Sequence, residues 1–242
     1  MSSAMRYAPA LTVERPPGAQ PLVVAHRGAW GSAPQNSVEA FDAAVKLGCD
    51  AIELDVRRTA DDRLVVVHDA RVRGRSVARL AHEEVRARMR DGQAPSLGDV
   101  LDRVGGRIAV DVELKESGYV EQAMEVVAGR LAPDQYVVTS FRDAVLPAVK
   151  GCVPDARTGL LLGRRRRMPE LDRRVRLTGV DFLAPHFSLA RPGLLAWAHD
   201  RGLPSWVWTV NDPRLMRVLR ADHRVAAVIT DRPERALANA GE

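Results

Sequence analysis

The sequence predicts an α/β fold, a (β/α)8 TIM barrel forming a single domain with a small insertion after the second strand. Three observations carry this reading. Eight short runs of strand-forming residues alternate with eight amphipathic segments, the pattern of a parallel sheet wrapped by helices. No G-x-G-x-x-G follows the first strand, which counts against the dinucleotide-binding version of an open doubly wound sheet. The 242 residues suit one barrel, and the 46% hydrophobic content can fill its core.

The strands are expected at 22–26 (LVVAH), 50–56 (DAIELDV), 107–114 (RIAVDVEL), 135–140 (QYVVTS), 157–162 (RTGLLL), 180–185 (VDFLAP), 205–210 (SWVWTV) and 226–230 (AAVIT). Helices are expected at 37–47, 96–104, 117–130, 142–150, 168–176, 188–201, 213–221 and 232–240. Asn36 or Ser37 can cap the first helix and Ser96 the next, while Pro213 and Pro233 stand near first turns. One segment breaks the rhythm. RLVVVHD at 63–69 follows the second strand after a short TADD turn, so it reads as a hairpin or an extension of that loop. Residues 70–95 then form an Arg-rich insertion. The first 20 residues lack an apolar signal-peptide core and read as a flexible arm, leaving 21–242 as the barrel domain.

Charge and cysteine content narrow the function classes. Lys and Arg number 36 against 31 Asp and Glu, and only Lys46, Lys115 and Lys150 are lysines. Arginine suits phosphate because its planar fork donates two hydrogen bonds to one oxyanion. Aromatic residues make up only 5% and do not interleave with the run Arg164 to Arg167, so no stacking platform for nucleic acid is legible. That run is either a solvated loop or a charge at the barrel mouth that attracts anions. Cys49 and Cys152 form neither a disulfide framework nor a metal spacing, which suits a reducing, cytoplasmic setting. No apolar run reaches the roughly 18 residues that span a bilayer, so no stable membrane insertion is expected. The oligomeric state is not legible.

Barrel active sites lie at the C-terminal ends of the strands, and polar residues collect there. In IELDV, Glu53 and Asp55 project to the same face. In VDVELKE, Asp111, Glu113 and Lys115 do the same. Buried like charges persist only if protonated, paired or bridged by a cation. Pairing with Arg or Lys is one reading; the other is an all-oxygen site for a hard divalent cation, Mg²⁺ or Ca²⁺. His26 and His68 end separate strands near these acids and suit general acid and base roles. Arg27 can grip a phosphate, and Gly28 lets the backbone approach a ligand closely. Trp208 can stack on substrate or belong to the core. His186 stands at a strand end, whereas His82, His199 and His223 read as surface residues.

Taken together, these motifs resemble the glycerophosphodiester phosphodiesterase family. AHRG opens the first strand and PQNSVEAF follows it. GCDAIELDVRRTADDRLVVVHD is similar to the family's E-x-D strand, T-x-D turn and H-D pair. VDVELKE, VDFLAPH, VWTVND and VITDRPE match later strand ends, so the resemblance runs from about residue 22 to 238. It implies hydrolysis of a small-molecule glycerophosphodiester to an alcohol and sn-glycerol 3-phosphate. By that resemblance Glu53, Asp55 and Glu113 hold the cation, and His26 and His68 are the acid–base pair. Arg27 and Lys115 contact substrate, with Trp208 as a further substrate contact. Gln35 stands where the family usually has Glu, and ARVRGRSVARL replaces the stretch common after the H-D pair. Two alternatives stay open. One is a lysophospholipase D-like enzyme, for which Val72, Val77, Leu80 and Met89 either line an acyl groove or are plain core. The other is a non-catalytic phosphate-binding barrel.

Overall fold

In the computed structural model, which describes residues 11–31, 33–163 and 167–238, all eight expected barrel strands form. They are β1 (Leu22–His26), β2 (Ala51–Arg58), β6 (Ala109–Leu114), β7 (Tyr136–Ser140), β8 (Arg157–Leu162), β9 (Phe182–Pro185), β10 (Ser205–Val207) and β11 (Val225–Thr230). Each pairs in parallel with the next, and β1 closes the barrel by pairing with both β11 and β2.

Strand alternation sorts the side chains. Ala51, Ala109, Val137, Phe182 and Trp206 pack together inside the barrel. Their neighbours Ile52, Leu54, Val110 and Val112 pack outward with helix residues such as Phe41, Leu97 and Met124. Gly159 makes the inner packing possible, because a Cβ there would lie 2.3 Å from the Phe182 ring.

Helix starts follow their cap chemistry. Ser37, rather than Asn36, caps α1 (Val38–Leu47), its Oγ accepting from Ala40 N at 3.1 Å. Ser96 caps α3 (Leu97–Val104), and Asp212 caps α8 (Pro213–Ala221) with Pro213 in its first turn. α5 (Val145–Cys152) connects β7 to β8. Three helices, α5 among them, begin three or four residues later than expected. α4 (Val120–Ala128) starts only after Tyr119, whose hydroxyl is held by Val56 O across the barrel rim. α7 (Pro192–His199) starts after a turn in which Leu189 N donates to His186 O. α9 (Pro233–Ala238) closes the described chain.

The segment after β2 is a hairpin. Thr59 Oγ1 accepts from Arg63 N and binds Asp61, and β3 (Leu64–Val66) returns antiparallel to β2. The insertion is better ordered than its composition suggests. It contains the hairpin β4 (Arg71–Val72) and β5 (Arg75–Ser76), and α2 (His82–Arg88). Val72, Val77 and Leu80 are buried with Val65, Val67 and Val85, and Met89 packs against them. They are the insertion's own core, so they do not line an acyl groove. The N-terminal segment also departs from a flexible arm over its described part. Leu11 and Val13 are buried against the barrel floor, and Val13 O accepts from Trp206 Nε1 at 3.1 Å. Arg164 to Arg166 lie outside the described residues; Arg167 immediately precedes α6 (Met168–Thr178). Among the described residues, no helix is long and apolar enough to cross a membrane.

Candidate active site

The inner face of β2 changes character toward the barrel mouth, running Ala51, Glu53, Asp55, Arg57. β6 runs Ala109, Asp111, Glu113 beside it. The register sets Glu53 opposite Asp111 and Asp55 opposite Glu113. Oxygens of Glu53, Asp55 and Glu113 come within 4.8 Å of one another, and all three side chains are buried.

This cluster is electrostatically incomplete. Among the described residues, four buried carboxylates, with Asp111, face two cations. Lys115 Nζ donates to Asp55 Oδ1 and Glu113 Oε1, both at 2.8 Å. The Arg27 side chain lies 3.2 Å from Asp55 Oδ2. Full ionisation would leave two negative charges without a counterion, the charge a divalent cation supplies. Burial opposes ionisation of Asp55, but Lys115 and Arg27 outweigh it and hold the group well below the usual carboxylate range. The others move the opposite way. Burial, reinforced by the neighbouring acids, pushes Glu53 well above its ordinary value and Asp111 up to about 8. Burial lifts Glu113 to about 7 even against the attraction of Lys115. Asp111 Oδ1 accepts from Thr139 Oγ1 at 2.8 Å, while its buried Oδ2 has no hydrogen-bond partner among the described residues. An oxygen-only donor set with this charge deficit fits a hard divalent cation.

Both histidines are anchored through Nδ1. His26 pairs with β2 at Glu53, which places its Nε2 3.9 Å from Glu53 Oε2. Its Nδ1 lies 2.6 Å from Asp231 Oδ1, just beyond β11. Asn211 holds that carboxylate, donating to Oδ2 at 2.7 Å and accepting from Asp231 N at 2.9 Å. Burial opposes ionisation of Asp231, but the hydrogen bonds from His26 and Asn211 prevail and lower its pKa. His68 Nδ1 lies 2.8 Å from Asp69 Oδ1. Its carbonyl accepts two N–H bonds from Arg57, at 2.9 and 2.7 Å, and Arg57 is also paired with Glu116. Burial, with Lys115 and Arg27 nearby, lowers the His68 pKa despite the opposing pull of Asp55.

The turn after β1 is built for this geometry. Arg27 adopts a left-handed conformation, φ 57°, which directs its N–H to Glu53 Oε2 at 3.0 Å. Its guanidinium donates to Gln35 Oε1 at 2.7 Å. Gly28 plays a different part from the one expected. A Cβ there would lie 2.7 Å from Ala40 C, so its bareness lets the turn pack on α1 rather than on a ligand. Asn36, also left-handed, donates to Asp55 Oδ2 at 2.8 Å.

All eight site residues expected from sequence converge. His26, Arg27, Glu53, His68, Glu113, Lys115 and Trp208 line one chamber of about 140 Å³. Asp55 lies beside it, tied to Lys115, Arg27 and Asn36. Trp208 forms a wall, its Nε1 donating to Ala184 O at 2.6 Å and its ring meeting Phe141 edge-on at 5.6 Å. His186 stands behind it, 5.0 Å from the Trp208 ring. Sequence reasoning gives no site role to Arg57, Asp231 or Asn36. Arg57 is within its reach, since the same two-residue spacing extends past Asp55. Asp231 is legible as the polar end of the eighth strand, though not as the partner of His26, and Asn36 reads only as a helix-cap candidate.

Comparison with known proteins agrees with this geometry. Residues 26–235 match the Glycerophosphoryl diester phosphodiesterase family. A probable glycerophosphodiester phosphodiesterase 2 of Mycobacterium tuberculosis is 32% identical over 241 residues, covering 88% of both chains. A glycerophosphodiester phosphodiesterase crystal structure from Parabacteroides distasonis superposes with TM-score 0.78 at 26% identity, over 90% of this chain and 95% of that one. An Oleispira antarctica phosphodiesterase, solved with the product sn-glycerol-3-phosphate, shares the fold. It has TM-score 0.79 at 21% identity, over 92% of this chain and 98% of that one.

Proposed function

Because the chain belongs to the glycerophosphoryl diester phosphodiesterase family, we propose that it hydrolyses small glycerophosphodiesters to an alcohol and sn-glycerol 3-phosphate. The observation that carries this is the chamber itself. It joins a buried three-carboxylate cluster to two imidazoles whose Nδ1 atoms are each tied to an aspartate.

Glu53, Asp55 and Glu113 would hold one divalent cation, Mg²⁺ or Ca²⁺. Bound there, it would offset the charge of the phosphodiester, which otherwise repels nucleophiles. Arg27 and Lys115 add positive charge beside the phosphate, and Trp208 forms an apolar wall against the rest of the substrate. The aspartates on Nδ1 leave Nε2 of His26 and of His68 as the atoms that exchange protons. One Nε2 takes a proton from the attacking oxygen, and the other gives one to the departing alkoxide. Asn211 and Asp231 keep the His26 ring in place, and Arg57 holds the His68 backbone. Such a constellation exceeds what a non-catalytic phosphate-binding barrel requires. The insertion residues offered for an acyl groove are internal core, which favours water-soluble diesters over lysophospholipids. The unpaired cysteines, Cys49 and Cys152, accord with a cytoplasmic setting.

The test is release of glycerol 3-phosphate from glycerophosphocholine. Turnover should vanish with chelator and return with Mg²⁺ or Ca²⁺. Metal-loaded protein that cleaves no glycerophosphodiester would refute the reading.

A further inference from the structure

A second cavity of about 440 Å³ opens beside the chamber and shares Glu113, Lys115, Phe141 and Leu161 with it. Among its described lining residues the charge is one-sided, with Arg57, Lys115, Arg142 and Arg174 against the single acid Glu113. Three of these cations are already engaged. Arg57 is paired with Glu116, and Lys115 bridges Asp55 and Glu113. Arg174 grips Asp143 through two nitrogens, at 2.9 and 2.6 Å. Arg142 is different. Its backbone is fixed, with N–H donating to Ser140 Oγ at 3.1 Å and carbonyl accepting from Val145 N at 3.0 Å. Yet among the described residues no carboxylate pairs with its guanidinium.

A fixed backbone carrying an uncommitted guanidinium is suited to two-point recognition of a carboxylate. The chamber holds the acidic cluster and so receives the phosphate. The cavity that Arg142 edges shares four lining residues with that chamber, which puts it within reach of a substituent on the phosphorus. We infer that this cavity selects diesters whose leaving alcohol carries a carboxylate, with Arg142 as the residue that reads it. A quaternary ammonium is poorly served there. The cation left unneutralised there is Arg142, and Phe141, the one aromatic among the described lining residues, is packed edge-on against Trp208 and does not close a cage.

This inference rests on the hydrolytic reading, and the test separates the two. Glycerophosphoserine and glycerophosphoethanolamine differ by one carboxylate. The metal-loaded protein should favour the former in kcat/KM by about threefold to tenfold, as suits a solvent-accessible ion pair. Arg142→Gln should bring the ratio close to one, mainly by raising KM for the serine diester. Arg142→Lys, which keeps charge without the fork, should fall between. Arg157→Gln makes the same charge change at the opposite end of β8 and should preserve the ratio. Equal rates in the unmodified protein, a preference surviving Arg142→Gln, or one lost equally in Arg157→Gln would each overturn the subsite while leaving hydrolysis intact. Failure to cleave either diester would sink both readings.

Discussion

The two ends of the barrel use the same strands and the same alternation but bury opposite chemistry. At the floor, Ala51, Ala109, Val137, Phe182 and Trp206 interdigitate, and Leu11 and Val13 cover them. At the mouth, two residues further along β2 and β6, the inward positions are Glu53, Asp55, Asp111 and Glu113. All are buried, yet burial acts in opposite senses. Removing Trp206 from water favours folding, at about 25 cal/mol per Å² of apolar surface. Removing a carboxylate from water is unfavourable unless a cation compensates. The floor therefore supplies stability, and the mouth uses some of it to hold charges where a phosphate can meet them.

The largest test of this division is at the acids. Glu53→Gln, Asp55→Asn and Glu113→Gln should each lower kcat/KM by about 10⁴-fold, equivalent to several kcal/mol of lost charge stabilisation. Each should also weaken Mg²⁺ or Ca²⁺ binding by calorimetry. For Glu53 and Glu113, whose ionised forms the site disfavours, thermal stability of the metal-free protein should not fall. A large loss of Tm in these two variants would mean that the acids support the fold rather than the cation.

The histidines come next. His26→Ala and His68→Ala should each lower kcat by about 10²- to 10⁴-fold, with metal binding retained. A p-nitrophenyl diester, whose leaving group departs without protonation, should rescue only the variant lacking the acid. Near-normal turnover of natural diesters by both variants would make these residues structural.

The floor should respond in stability rather than in rate. Trp206→Ala should destabilise by about 3–5 kcal/mol, measured by denaturant unfolding, while protein that remains folded keeps its metal affinity. Loss of metal affinity without loss of stability would erase the distinction between the two ends. Asp231→Asn should have a smaller effect on rate than His26→Ala, about tenfold to hundredfold, by analogy with removal of partners that orient metal-site histidines. Loss as great as that of His26→Ala would give Asp231 more than an orienting part.

The smallest effect is on the pH dependence of stability. Glu113, ordinarily 4.5, is lifted to about 7, and Asp111, ordinarily 3.8, to about 8. Between the unfolded and folded values, the folded state binds protons that the unfolded chain has released. Their contribution is therefore largest below the unfolded values and is lost as pH rises through about 8. Metal-free protein should lose Tm between about pH 5 and 8, and a divalent cation, which displaces those protons, should stabilise it most at the upper end. A chelated sample whose Tm rises across that window would contradict the assignment.

Much of the fold and of the site is legible in the amino-acid sequence. The same-face placement of Glu53 with Asp55, and of Asp111 with Glu113, follows from strand geometry, because alternation is a property of the extended backbone itself. The eight strands are legible for the same reason, as are the starts at Ser37, Ser96 and Pro213, which depend on hydrogen bonds within one turn. The order in the insertion is not. Val72, Val77 and Leu80 become a core only by packing on Val65 and Val67 of the returning hairpin. Gly28 shows only that a close approach is allowed, and the tertiary structure makes α1 the partner.

What the sequence by itself determined was the periodicity of the chain and the side chains delivered to each strand end. Tertiary structure decided which ends meet. Closure through β1 sets His26 beside Glu53 and brings Asp231, 205 residues later, to its Nδ1. Parallel register aligns Asp55 with Glu113, and the hairpin carries His68 back over the rim to Arg57. These contacts depend on barrel closure and strand stagger, which are properties of the whole sheet and leave no trace in local spacing.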